Sequence, residues 1–175
     1  MIHSEIVRKL ELQAVDIEIG KISYRRATIN DVETLAEYRV RFLNELNNHP
    51  EDDETKILGK NLREYFCKTI PSNEFIAWLA EHNGRIVATS GMVLWHLPAR
   101  YGGLLSGKAG YILNMYTLPE ARRKGICANL LSKLMEEARV LELRYLHLHA
   151  SKDGINIYRK AGFNEPKQIE LKLEL

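Results

Sequence analysis

The stretch YILNMYTLPEARRKGICANLL, residues 111–131, holds a strand, a turn and the start of a helix in immediate succession. Apolar residues alternate before Pro119, and the basic run Arg122 to Lys124 precedes Gly125. The amphipathic pattern that follows predicts one long helix over 119–143. A basic, glycine-containing turn before a helix aims backbone N–H groups and cations at one point, which favours a phosphate or pyrophosphate ligand.

The turn matches neither common nucleotide-binding motif. The chain contains no GxxxxGK[ST] run and no GxGxxG run, so neither a P-loop nor a dinucleotide-binding fold is indicated. Because many solvated turns are basic without binding anything, a turn with no ligand is the competing interpretation at this point.

The other elements are predicted from periodicity and turn residues. We expect strands at 22–27, 75–81, 85–97, 108–117, 145–150 and 167–175, and helices at 28–46, 50–70, 119–143 and 154–161. The order β-α-α-β-β-β-α-β-α-β needs parallel pairing only around the long helix. We therefore expect an α/β protein of the α+β type, with a mixed, largely antiparallel central sheet flanked by helices.

Local signals mark several element ends. Thr28 followed by Asp31 resembles a capping box, and Asn83-Gly84 supplies the positive φ angles of a tight hairpin. Four acids from Glu51 to Glu54 suit the first turn of a helix. The first long helix is expected to bury its apolar positions Val32, Leu35, Ala36, Phe42, Leu43 and Leu46.

Length and composition limit the possible classes of protein. A chain of 175 residues fits a single domain, which we place at 21–175. Residues 1–20 mix helical and strand-like periodicity, so we treat them as an appendage. A formal charge of +2 is too small to indicate nucleic-acid or membrane binding.

Cysteine usage and hydropathy point to the cytoplasm. Cys67 and Cys127 stand 60 positions apart, which suits neither a disulfide framework nor a zinc site. No apolar run reaches membrane-spanning length, and the first residues lack the apolar core of a signal peptide. We expect a cytoplasmic protein that binds no metal.

Two stretches resemble the GNAT superfamily of N-acetyltransferases. Arg122, Gly125 and Cys127 occupy the superfamily's acyl-CoA-binding pattern of Arg or Gln, two residues, Gly, one residue, then Gly or Ala. Residues 154–163, GINIYRKAGF, resemble its short helix with a Tyr, a basic residue and Gly-Phe. Cys127 departs from the usual Gly or Ala. The resemblance covers 22–175 and implies a GNAT-like fold with acetyl-CoA as cofactor.

The resemblance also implies where acetyl-CoA binds. Backbone amides of the basic turn would hold the pyrophosphate, and the pantetheine arm would pair with the strand that ends at Thr117. The cofactor-binding residues implied are Met115, Tyr116, Thr117, Arg122, Arg123, Lys124, Gly125, Ile126, Cys127, Ala128 and Tyr158.

The chemistry implied is direct attack of a primary amine on acetyl-CoA in a ternary complex. The Met115 amide is the candidate oxyanion donor, and Tyr158 is the candidate general acid for the departing sulfur. Many superfamily members use a Glu as general base where this chain has Leu113 and Asn114. Asn114 is therefore kept as a candidate catalytic residue. His149 is the candidate base because imidazole accepts protons near neutral pH.

Structural roles compete with each of these assignments. Tyr158 could be a packed core aromatic, and His149 could be a hydrogen-bonded strand histidine. Cys127 stands at a helix N-terminus beside three cations, which would lower a thiol pKa, but we interpret it as a packing residue. Glu45 belongs to the region that borders the acceptor groove in this superfamily.

The identity of the acceptor is left open, whether a small molecule or a peptide amine. A catalytically silent acyl-CoA-binding sensor is the alternative function. A third possibility is that residues 1–20 recruit a partner or a second copy of the chain, which would make a homodimer.

Overall fold

The computed structural model describes residues 17–99, 101, 106–166 and 169–174. Its five strands are β1 (Ile22–Arg26), β2 (Phe75–His82), β3 (Arg85–His96), β4 (Lys108–Thr117) and β5 (Tyr145–Leu148). Its four α-helices are α1 (Val32–Asn47), α2 (Asp53–Thr69), α3 (Ile126–Val140) and α4 (Ile155–Lys160). No described helix is both long enough and apolar enough to cross a membrane.

The five strands form one sheet in the order β1-β2-β3-β4-β5. The first four pair antiparallel, and only β4 and β5 pair parallel. A parallel pair needs a long crossover, and α3 provides it. The expected fold class, a largely antiparallel sheet flanked by helices, is confirmed.

Helices cover both faces of the sheet, so the strands of its centre are buried on two sides. Against α1 and α2 pack the β2 residues Phe75, Ala77 and Leu79. The alternate residue Ile76 packs with Leu131 and Leu134 of α3 on the opposite face. This period of two along β2 is what a strand between two helical layers requires.

The capping box at Thr28 is confirmed, and its Asp31 has a second role. The Thr28 hydroxyl accepts from the Asn30 amide, while Asp31 accepts from the Thr28 amide. The buried Asp31 carboxylate also accepts two hydrogen bonds from the Arg25 guanidinium, at 2.7 and 2.8 Å. This pair joins β1 to the start of α1.

The long helix predicted over 119–143 is wrong at both ends. Residues Pro119–Ala121 form a separate 3-10 turn, and α3 begins only at Ile126. Arg123 (φ 60°) and Gly125 (φ 78°) adopt left-handed backbone that cannot continue a right-handed helix. At the other end the helix stops at Val140, because Glu142 is again left-handed (φ 55°).

Four other expectations differ from the structure. The strand predicted over 145–150 ends at Leu148, and residues 169–174 of the predicted last strand form no strand. Leu46 is 53% exposed rather than buried, because it faces away from the sheet near the end of α1. Ile17, inside the expected appendage, is buried in the core; residues 1–16 lie outside the described part.

The Asp31 to Arg25 pair generates a pH-dependent stability prediction. The Arg25 hydrogen bonds hold the pKa of Asp31 below its ordinary 3.8, so its contribution is complete above that pH. The contribution is lost as the pH falls through the lower, folded-state pKa. Asp31→Asn should therefore lower the free energy of unfolding by about 2 kcal/mol at neutral pH.

Urea unfolding measured from about pH 7 down to about pH 2 tests this, because the difference between wild type and Asp31→Asn should shrink only below 3.8. The control is Glu33→Gln, which removes an exposed ion pair with Arg63 and should cost under about 1 kcal/mol. A difference between Asp31→Asn and wild type that stays constant with pH would contradict the assignment.

Candidate active site

Strand β4 contains a bulge three residues before its end. Thr89 of β3 pairs with Tyr116 and Gly91 pairs with Leu113, so Ser90 alone lies opposite two residues, Asn114 and Met115. Asn114 takes the left-handed conformation, with φ 54°, and its carbonyl accepts from the Thr89 hydroxyl at 3.2 Å. Bulges interrupt the ladder and re-aim backbone groups, which is why they occur beside active sites.

The two parallel strands part at the same level. The pairing of β4 with β5 ends at Ile112 and Leu148. Beyond that pair the β4 backbone from 113 to 117 has an edge that no described strand covers. An open edge can accept an extended chain by main-chain hydrogen bonds.

The turn after β4 has the geometry of an anion-binding loop. The first-turn N–H groups of α3 lack partners within their helix, and that first turn contains no acidic residue. The positive φ at position 125 favours glycine, and a Cβ built on Gly125 would meet nothing within 4 Å. The space in front of the helix N-terminus is therefore open to a ligand.

The three cations of this turn have different roles. Arg123 is exposed and Lys124 half-buried, and neither has a carboxylate partner among the described residues. Arg122 instead donates from Nη2 to Glu45 Oε2 at 2.6 Å and from Nε to the Thr117 carbonyl at 2.9 Å. Arg123 and Lys124 are thus available to an anion, while Arg122 braces the loop.

Glu45 holds the loop against helix α1. Besides the Arg122 pair, it accepts a 2.5 Å hydrogen bond from the Tyr116 hydroxyl. Hydrogen bonds from Tyr116 and Arg122 outweigh desolvation and lower the pKa of Glu45. Burial and the Glu45 carboxylate raise the pKa of Tyr116 to about 12. The tyrosine therefore stays a neutral donor and Glu45 a charged acceptor.

Tyr158 lies on the α3 face of the sheet and is 9% exposed. Its ring meets Phe163 edge-on at 6.0 Å, and its hydroxyl donates to no described residue. Burial raises its pKa above the ordinary 10, and a charge on Cys127 would raise it further. Tyr158 is therefore a protonated hydroxyl close to the first turn of α3, as a proton donor must be.

Two further side chains at the site carry unusual environments. Burial raises the pKa of the Cys127 thiol to about 11, so the lowering expected from a helix N-terminus is outweighed, in agreement with a packing residue. The Asn114 side chain is 2% exposed, and its Oδ1 and Nδ2 have no partner in the described structure. Buried amide groups are rarely left unpaired, so this one points to a functional position.

His149 follows the last residue of β5, where the strands part. Its Nδ1 lies 2.5 Å from the Tyr111 hydroxyl, and its Nε2 lies 3.6 Å from Glu170 Oε1. Sequence reasoning did not single out Tyr111. No signal in the sequence could have found this contact, because it depends on the parallel register that sets Tyr111 beside His147. The side chain of His149 emerges on the same face as that of His147.

The structure brings the expected cofactor residues together around one end of the sheet. Met115, Tyr116 and Thr117 end β4, Arg122 to Gly125 form the turn, Ile126, Cys127 and Ala128 begin α3, and Asn114, His149 and Tyr158 surround the bulge and the α3 N-terminus. Each catalytic role assigned to them stays a prediction.

A family model decides what this arrangement is. The model of the acetyltransferase (GNAT) family matches residues 32–163, which include every strand from β2 to β5 and the whole basic turn. The chain belongs to the GNAT acetyltransferase family. That membership confirms the resemblance and identifies an acyl-CoA-dependent acyltransferase, since acetyl-CoA is the cofactor of this family.

Solved structures agree with this assignment. A predicted acetyltransferase with acetyl-CoA from Clostridium acetobutylicum is 34% identical, with a TM-score of 0.77 over 86% of this chain and 96% of that chain. A GCN5-related N-acetyltransferase from Ralstonia eutropha shares the fold at 22% identity, with a TM-score of 0.77 over 87% and 98%. No curated protein matches the chain significantly.

The Glu45 contacts generate a prediction about cofactor affinity. Glu45→Gln keeps the shape of the side chain but removes the charge that holds Arg122. Because the pair is partly exposed, the loss should be modest, and the Kd for acetyl-CoA should rise about two- to fivefold. Isothermal titration checks this. Glu37→Gln, which breaks an exposed ion pair with Arg41 on the same helix, should leave Kd unchanged; equal effects of the two variants would refute a role for Glu45 in loop position.

Proposed function

We propose that this protein is an N-acetyltransferase that moves the acetyl group of acetyl-CoA to a primary amine by direct attack in a ternary complex. One observation carries the proposal. A bulged strand with an uncovered edge leads straight into an anion-binding turn, and a buried, protonated Tyr158 lies next to that turn. The acetyl-CoA of the Clostridium acetobutylicum structure supports the choice of donor.

The residues present fit acetyl-CoA. The N-terminal amides of α3, together with Arg123 and Lys124, would hold the pyrophosphate, since helix N-termini and free cations favour phosphate oxygens. The uncovered edge at 113–117 would accept the amide groups of the pantetheine arm. When bound, acetyl-CoA supplies an activated thioester.

Three groups of this chain would act on the reacting atoms. The Met115 amide beside the bulge would donate to the thioester oxygen, where negative charge develops. Tyr158 would donate its proton to the departing sulfur. His149, hydrogen-bonded to Tyr111, would take the proton of the attacking amine. Asn114, with its unpaired amide, is the candidate to position one of these partners.

Location and assembly are part of the same proposal. Cys67 and Cys127 are both free, and Cys67 is exposed, which suits the reducing cytoplasm. A homodimer stays a prediction, as does the division into residues 1–20 and a catalytic domain at 21–175.

Acetyl-CoA should stabilise the folded protein. A ligand at 100 times its Kd adds about 2.7 kcal/mol, which for a domain of this size raises Tm by about 5 to 10 °C. Differential scanning fluorimetry with acetyl-CoA, and with ATP and NAD as controls, measures this. A shift with acetyl-CoA alone is expected, and no shift would contradict cofactor binding at this turn.

Tyr158→Phe should separate chemistry from binding. It removes the hydroxyl but keeps the ring against Phe163, so kcat should fall about 100-fold or more while the Kd for acetyl-CoA stays within about twofold. Coenzyme thiol release and titration measure the two quantities, with Tyr65→Phe on α2 as the control. Unchanged kcat would remove Tyr158 from the mechanism. Tight acetyl-CoA binding without turnover of any amine would favour the silent sensor.

A further inference from the structure

Arg39 is a half-buried cation without a carboxylate partner. It lies on the sheet-facing side of α1, and its guanidinium stands 5.5 Å from the centre of the Phe42 ring. Burial lowers its pKa; the Tyr111 phenol partly opposes that effect, and no carboxylate among the described residues does. A charge withdrawn from water without a counter-charge is costly, so its retention here requires a function.

Comparison with the other cations makes Arg39 stand out. Only four described Lys or Arg residues are not exposed: Arg25, Arg39, Lys124 and Lys133. Arg25 pairs with Asp31, and Lys133 pairs with Glu136. Lys124 belongs to the anion-binding turn. Arg39 alone among these four has no carboxylate partner in the described structure and does not belong to the basic turn.

Arg39 lies where an acceptor would approach the acetyl group. Helix α1, which carries Arg39, packs against β4. Burial raises the pKa of Tyr111, and the charge of Arg39 partly opposes that rise. Phe42, the ring next to the Arg39 guanidinium, contacts the ring of Tyr116 with a centre-to-centre distance of 6.4 Å. Tyr111 precedes the bulge of β4 and Tyr116 follows it, so Arg39 lies on the face of the sheet that carries the ring of Tyr116.

An opposite charge, that of Glu170, is linked to Tyr111 through His149. Glu170 Oε1 lies 3.6 Å from Nε2 of His149, whose Nδ1 contacts the Tyr111 hydroxyl. Burial raises the pKa of Tyr111; Arg39 opposes that rise and Glu170 adds to it. Trp95 stacks on Tyr111, with ring centres 4.9 Å apart, so the two rings form one flat aromatic surface. A surface that combines a cation, an anion and aromatic rings matches a molecule with both an anionic and a cationic group.

We propose that the acceptor is an amino acid, whose carboxylate binds the Arg39 guanidinium and whose amine lies toward His149 and Glu170. This inference rests on the proposed acetyltransferase function and names its substrate class. The planar guanidinium fork matches a carboxylate with two parallel hydrogen bonds. The amine nitrogen bonds to the acetyl carbonyl carbon as the C–S bond breaks. The nitrogen gives one proton to His149, and the departing sulfur takes one from Tyr158 and leaves as the coenzyme thiol.

Paired acceptors test the role of the carboxylate. Each common amino acid is compared with its carboxamide, which keeps the amine but removes the negative charge, by coenzyme thiol release. We expect at least one amino acid to exceed its carboxamide in kcat/KM by about 10- to 100-fold. Carboxamides that react as well as the acids would overturn the proposal.

Variants of Arg39 locate the effect. Arg39→Gln should raise KM for the preferred amino acid about 10-fold or more and leave that of its carboxamide unchanged. Arg39→Lys should restore part of the preference, and it keeps the site testable if the Gln variant folds poorly. Arg63→Gln on α2, exposed and paired with Glu33, is the control. An equal loss for acid and carboxamide in both Arg39 variants would overturn the proposal.

A binding measurement separates this inference from the proposed function. Coenzyme A is present throughout. The preferred amino acid should raise the Tm of wild type but not of Arg39→Gln, and carboxamides should raise neither. If no amino acid is acetylated, the whole panel of amino acids is measured in the same way. If no amine is acetylated but this Arg39-dependent shift is seen, the acetyltransferase proposal fails and the carboxylate site stands. No difference between acids and carboxamides in Tm would overturn the site.

Discussion

Ser90 faces two residues of β4 instead of one, and this mismatch controls the geometry of the whole site. The extra residue puts Asn114 in the left-handed conformation and interrupts the ladder just beyond the last pair of β4 with β5, Ile112 and Leu148. Strand β5 ends at the same level, so β4 loses regular pairing on both of its edges within a few residues. The uncovered edge, the candidate oxyanion donor and the entry for the acceptor all depend on this one interruption.

The basic turn depends on a second constraint, which is the left-handed backbone at Arg123 and Gly125. These two residues delay the start of α3 to Ile126 and leave its first amides facing open space. The turn is then held from outside by Glu45, through Arg122 and Tyr116. A residue of the superfamily's binding pattern thus serves as a brace, while its two neighbours keep their charges available to the ligand.

Some buried or half-buried polar groups of the molecule have partners, and others have none. Arg25 and Asp31 neutralise each other at the start of α1, where the requirement is stability. Arg39, two turns further along the same helix, has no such partner, and the buried Asn114 amide has none either. Unsatisfied polar groups destabilise a fold unless something else binds them. Asn114 lies in the bulge, and Arg39 packs on Phe42, which contacts Tyr116 two residues beyond it. The cost therefore falls near the part of β4 where ligands are expected.

Most of the elements could be predicted from sequence because their signals are local. The capping box at Thr28 and the turn at Asn83-Gly84 require only neighbours within four residues, and the family motifs at 122–127 and 154–163 are short and contiguous. The helix start at 119 was misplaced because the amphipathic pattern does not reveal a left-handed residue at Arg123. Leu46 was misassigned because the helical period alone does not show where α1 leaves the sheet.

The sequence by itself therefore determined the family, the order of the elements and the composition of the anion-binding turn, since each depends on residues close together in the chain. Tertiary structure alone decided where β4 and β5 part, that Arg122 pairs with a glutamate 77 positions away, and that Tyr111 meets His149 across 38 positions. It also decided that Arg39 faces the site without a partner. Such contacts join distant segments, and no periodicity or spacing within one segment specifies which side chains meet when the sheet assembles.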